Sequence, residues 1–256
     1  MDLYYIITFF AFGITLGSFY NVVGYRLPRG ESIIYPPSHC TNCNHQLTAI
    51  ELIPIFSYIL QGGKCKNCKV KISLFYPFFE FATGLLFVIA YLIFGLTIEL
   101  FIALIFISMT LIIFLSDYLY YIISDEVLIV SAILLMIAIF LSKGFEGLLI
   151  SLFNGAVAFG IMYLIKQLGD FIFKKESMGG GDIKLLFVFG LVMGWEMSLI
   201  AIFLASFIGL PISIYMLVTN PNKDRIIPFG PFLCSAALII LLLRIDINFI
   251  VNLLIV

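Results

Sequence analysis

Eight times along this chain a run of mostly apolar residues approaches the length of a bilayer crossing. The runs cover roughly Leu3 to Val23, Tyr76 to Gly95, Ile98 to Leu115, Val127 to Leu141, Leu148 to Ile165, Ile183 to Trp195, Met197 to Val218 and Pro228 to Leu243. A spanning helix needs about 20 such residues, each rising about 1.5 Å, to cross a hydrocarbon core about 30 Å thick. The sixth run is short, and Ile245 to Val256 is too short to cross, which places it in an interface or against the bundle. The chain is 62% hydrophobic and 11% charged, with mean hydropathy +1.16. A soluble domain carries about a quarter charged residues. The expected fold class is therefore an all-α polytopic membrane protein with about eight transmembrane helices. The first run has no basic residue ahead of it, so it is expected to stay attached rather than act as a cleaved signal.

Charge placement orients this arrangement, because Lys and Arg collect in short cytoplasmic loops. With the N-terminus outside, the cytoplasmic side receives 12 basic residues, and only Lys143 and Arg244 lie on the far side. The opposite orientation would reverse that ratio. The net charge of -1 gives no reason to expect a nucleic-acid partner; the expected partner of most of the surface is the lipid bilayer. The aromatic load, 27 Phe and 13 Tyr, reads as lipid-facing and interfacial. Gly155, Gly160, Gly190 and Gly194 are expected to permit close helix packing.

One stretch, Arg26 to Ser73, is polar and punctuated by Gly and Pro, and reads as a small cytoplasmic domain between helices 1 and 2. It contains Cys40 and Cys43 in HCTNC, then Cys65 and Cys68 in KCKNC, with 21 residues between the pairs. Two such pairs can present four thiolates to Zn2+ tetrahedrally, whereas a reducing cytosol disfavours disulfides. A segment of this length builds little core, so metal is expected to supply folding energy. His39 and His45 flank the first pair and could each replace a thiolate, and Cys234 in the last run reads as packing. The organisation expected is residues 1–25 as the first transmembrane helix, 26–75 as the zinc domain and 76–256 as a transmembrane bundle.

Acidic side chains at the edge of apolar runs are costly unless paired or facing a polar cavity. Four stand out: Glu80 in YPFFEFATG, Asp117 in FLSDYLYY, Asp125 in ISDEV and Asp182 in GGGDIK. Asp125 and Asp182 could each cap or begin a helix. Capping leaves the run Gly179, Gly180 and Gly181 unexplained, since one Gly suffices for a turn; three allow close approach of another segment. Asp117 ends an inward-running helix, where the dipole disfavours an anion. In the orientation above, Asp117 and Asp182 lie at similar depth. Two such carboxylates can form an aspartyl dyad, one ionised and one protonated. Asp117 and Asp125 are a weaker couple, about 12 Å apart along a helix axis. A transporter or channel with carboxylates coordinating a cation remains open on these grounds, although transport sites lie near the bilayer midplane. So does a noncatalytic assembly factor whose zinc-binding segment is regulatory.

The same residues resemble a known family. GSFYNVVGYRLPRG (Gly17 to Gly30), the tetracysteine region running from Pro36 to Glu80, SDYLYYIISDE, GGGD and IPFGPFL (Ile227 to Leu233) together resemble the type IV prepilin peptidases, membrane aspartyl proteases with a GxGD motif. The resemblance implies Asp117 and Asp182 as the catalytic pair, with Gly179, Gly181 and Asp125 supporting the catalytic loops, and it matches Glu80 to a family glutamate. It implies cleavage of the basic leader of a prepilin or pseudopilin at the cytoplasmic face of the bacterial inner membrane. It also implies methylation of the new N-terminus with S-adenosylmethionine. Ser124 stands where the family usually has Pro. Lys174, Lys175 and Lys184 read either as topology signals or as groups that steer an acidic substrate residue.

Overall fold

The computed structural model describes residues 2–175, 178–219 and 227–247. The basic residues Lys223 and Arg225 and the end of the chain past residue 247 lie outside them. Among the described residues the regular structure is helical: α1 (Asp2–Arg26), α2 (Phe56–Leu60), α3 (Phe75–Phe94), α4 (Ile98–Tyr120), α5 (Asp125–Phe173), α6 (Gly180–Met193), α7 (Trp195–Thr219) and α8 (Gly230–Leu242), with a 3-10 turn at Leu27–Arg29. No strand longer than an isolated bridge occurs among them.

Five helices, α1, α3, α4, α5 and α7, are long and apolar enough to cross a membrane. The fourth and fifth apolar runs both lie within the 49 residues of α5, which is two helical stretches meeting at a break at Gly144, whose φ of 68° and ψ of -168° suit only glycine. A straight helix of that length would measure about 73 Å, more than twice the hydrocarbon thickness. The sixth and eighth runs form α6 and α8, of 14 and 13 residues.

The chain divides into two compact units, Met1–Gly95 and Leu96–Val256. In the first, α1 and α3 approach through small residues: a Cβ on Gly13 would lie 2.7 Å from Gly84 Cα. Phe9 and Tyr91 stack at 5.0 Å beside this contact. The polar segment between these helices carries the cysteines.

In the second unit α4 is the most buried helix, with Phe106, Ile107, Ile113 and Leu115 sealed from solvent. Phe106 packs on Phe189 of α6 at 5.2 Å. The backbones of α5 and α6 meet at Gly155 and Gly190, where an added Cβ on Gly190 would sit 2.7 Å from Gly155 Cα. The other two glycines behave differently from the packing expectation: Gly160 faces open space, and Gly194 ends α6 with φ 86°. Helix α4 also runs past Leu115, because Tyr121 adopts the left-handed conformation and returns its N–H to Asp117 O at 2.9 Å. Asp117 thus sits in the last turn of α4, at the helix end where the sequence placed it.

Candidate active site and metal centre

The first unit contains two near-identical turns. Cys40 N–H bonds to His45 O, and Asn44 N–H to Cys40 O; 25 residues later Cys65 N–H bonds to Val70 O and Lys69 N–H to Cys65 O, all at 2.9 to 3.0 Å. Asn44 and Lys69 take the left-handed conformation that closes each turn. The four sulfurs lie within 4.8 Å of one another, with Cys40 to Cys68 at 3.8 Å and Cys43 to Cys65 at 3.9 Å. Four thiolates about 2.3 Å from a tetrahedral zinc are separated by about 3.8 Å. The cluster therefore fits a metal ion and is compatible with zinc.

The thiols are also prepared electrically. Backbone N–H groups of Asn42 and Cys43 pull Cys40 below the usual thiol range, and that of Val70, with the Asn42 side chain, takes Cys68 to about 6. Cys43 receives a backbone N–H from His45, yet desolvation and hydrogen bonds with Cys68 and Cys40 hold it up to about 11. Four thiolates this close repel one another, and a divalent cation removes that repulsion. The two histidines lie outside the cluster. His39 Nδ1 lies 2.9 Å from Pro37 O, and His45 Nε2 lies 3.3 Å from both oxygens of Glu51. Glu51 Oε2 also accepts the backbone N–H and hydroxyl of Thr48 at 3.0 and 2.8 Å, which closes the turn between them. Those donors, backbone first and then hydroxyl and His45, hold its carboxyl down to about 2.

Glu80 sits in the second turn of α3, buried, where Oε2 accepts the N–H of Ile55 at 2.8 Å. Ile55 has φ 63°, an unfavourable conformation for a β-branched residue. Glu80 thus ties the polar segment to α3 at a strained point.

In the second unit, Asp117 is 7% exposed and its Oδ2 accepts the backbone N–H of Gly230, the first residue of α8, at 2.9 Å. Asp182 occupies the first turn of α6, after Gly179 as the helix boundary residue. Both carboxylates line one cavity of about 840 Å3, together with Tyr121, Ile123, Met178 and Phe229. Gly179 and Gly180 also line the cavity; Gly181 does so and presses on the loop after α4, where an added Cβ would lie 2.8 Å from Ile123 Cβ.

Asp125 begins α5 and is turned elsewhere. Lys184 Nζ contacts its two oxygens at 2.8 and 2.7 Å. Ser124 stands at the helix boundary without a side-chain capping bond. Two residues at this site have contact partners that no local pattern reveals. Gly230 acts through a backbone atom, so only its place in IPFGPFL hinted at it, and Lys184 read as a topology or substrate charge because its partner is 59 residues away.

A helical membrane-type chain with an N-terminal tetracysteine unit and two aspartates on one cavity is thus defined. The sequence profile described as Bacterial Peptidase A24 N-terminal domain matches residues 11–94, and that of the Type IV leader peptidase family matches residues 104–214. The prepilin leader peptidase/N-methyltransferase of Bacillus subtilis (strain 168) is 36% identical over 231 residues, covering 90% of this chain and 91% of that relative. The protein of the same name from Pseudomonas aeruginosa is 31% identical over 254 residues, covering 90% of this chain and 87% of its own. That from Pseudomonas putida is 30% identical over 270 residues, covering 93% and 91%. No solved structure matches. The chain belongs to the type IV leader peptidase family.

Proposed function

We propose that this chain is a membrane aspartyl endopeptidase that removes the leader from prepilins or pseudopilins and then N-methylates the new terminus. The observation that carries the peptidase reading is the meeting of Asp117 and Asp182, from helices far apart in sequence, on one cavity. In that reading the ionised member of the pair takes a proton from water as the water oxygen attacks the scissile carbonyl carbon. The protonated partner gives its proton to the carbonyl oxygen. Collapse of the tetrahedral intermediate returns a proton to the departing amine as the C–N bond breaks. Gly230 keeps Asp117 oriented, and Gly179 and Gly181 give the backbone room beside Asp182.

The shared name of the relatives supports the second activity. S-adenosylmethionine would supply an electrophilic methyl group to the freed amine. We assign the tetracysteine cluster to structural zinc held by Cys40, Cys43, Cys65 and Cys68, within a domain spanning 26–75 that faces the cytosol. All eight apolar runs cross the membrane in this proposal, with α5 counting as two spans broken at Gly144. The positive-inside distribution then sets the aspartates at the cytoplasmic face of the bacterial inner membrane.

The test is cleavage of a synthetic prepilin by the detergent-solubilised protein. Asp117→Asn and Asp182→Asn should each abolish product while expression and zinc content persist. Undiminished cleavage by both variants rejects the assignment. Mass spectrometry of the product should show one added methyl group only when S-adenosylmethionine is supplied.

A further inference from the structure

We infer that Lys184 and Asp125 are positioning residues: their ion pair clamps the first turn of α6 to the first turn of α5 and so sets Asp182 against Asp117 across the cavity. This inference rests on the peptidase reading above. The geometry is unusually complete for a surface pair, with one ammonium nitrogen on both oxygens of one carboxylate at 2.8 and 2.7 Å. The two side chains are 52% and 54% exposed, so the pair adds little to global stability. Its location gives it another use. Asp182 lies two residues before Lys184, and Asp117 lies eight residues before Asp125 at the other end of the connecting loop.

Steric, apolar and ionic contacts together fasten α6 at this end. Gly181 abuts Ile123 of the loop, Ile183 is buried, and Lys184 holds Asp125. The residues just ahead, Gly179 and Gly180, have no side chains with which to anchor anything. Buried Ile183, Leu185 and Leu186 fix where the helix lies, and the ion pair adds a polar tie between its start, beside Asp182, and the first turn of α5. Misplacement of a catalytic group by about 1 Å can cost on the order of 100-fold in rate. A pair worth little to folding can therefore matter greatly to turnover.

The test is a double-mutant cycle on the full-length protein in detergent, reading kcat and KM for a synthetic prepilin. It also reads hydrogen exchange across residues 179–184. Asp125→Asn and Lys184→Met should each lower kcat on the order of tenfold, with KM changed less than about twofold. Exchange at the start of α6 should rise in both. The swapped pair Asp125→Lys with Lys184→Asp should recover most of the lost kcat and protection, and Lys184→Arg should retain both. The inference is overturned if either neutral variant keeps native kcat and exchange, or if the swap does no better than the product of the singles. A rise in KM without rescue would show that Lys184 contacts the substrate instead, which also overturns it. Should the native chain fail to cleave, the peptidase reading falls, while the exchange data still decide whether the clamp exists.

Discussion

The backbone N–H of Gly230 donates to Asp117 Oδ2 at 2.9 Å, joining residues 113 positions apart. A Cβ at Gly230 would lie 2.6 Å from that oxygen, so no other residue fits without moving the carboxylate. The α8 N-terminus, with its Gly-Pro start, is thereby the seat of Asp117.

Gly230→Ala should reduce prepilin cleavage by about 10- to 100-fold through displacement of Asp117. The thermal midpoint should move little, because the strain falls on one side chain. Steady-state kinetics alongside thermal unfolding checks this, and native kcat in the variant would refute it.

Two of the three glycines before Asp182 should separate on steric grounds. Gly180 has nothing within 4 Å of an added Cβ, so Gly180→Ala should be tolerated. Gly181→Ala would press on the Cβ of Ile123 and should cost activity, part of which Ile123→Gly should restore in the double variant. Cleavage assays on the four proteins decide the matter.

Removal of metal should undo the tetracysteine segment. Structural zinc sites contribute roughly 10–16 kcal/mol in small peptides, comparable to the whole stability of a domain. Elemental analysis should find one zinc per chain, and Cys40→Ser or Cys65→Ser should abolish it and open the segment to limited proteolysis. A metal-free protein with unchanged protease resistance would contradict the structural role.

The Glu51 carboxylate predicts a pH dependence of defined sign. Its folded-state carboxyl is held near 2 against an ordinary 4.5, so the ionised form is favoured by folding. The resulting stability is complete above the ordinary value and fades as pH falls from 4.5 toward 2. The thermal midpoint of the native protein should exceed that of Glu51→Gln by a constant margin from neutral pH down to that value, then lose the margin below it. A margin that grows on acidification would show the sign to be wrong.

Chain composition alone indicated a helical membrane protein, and local spacing singled out the cysteines and the four carboxylates. Those features are legible because hydropathy is summed over neighbours and a metal knuckle is built from residues three apart. Span boundaries were less legible. Helix α4 continues through Asp117 because Tyr121 adopts a left-handed cap, which no apolar average reports. The break inside α5 that keeps the fourth and fifth runs apart rests on the dihedrals of Gly144, within the short gap between the two runs.

The sequence by itself determined which side chains are candidates for the proposed chemistry, since that depends on residue type and on order along the chain. Only tertiary structure decided that Asp117 and Asp182 share a cavity, that Gly230 holds the first, and that Lys184 seizes Asp125. Each of those contacts joins segments dozens of residues apart through one backbone proton or one ammonium group. Their partners are selected by how the helices pack, and packing leaves no local periodicity to read.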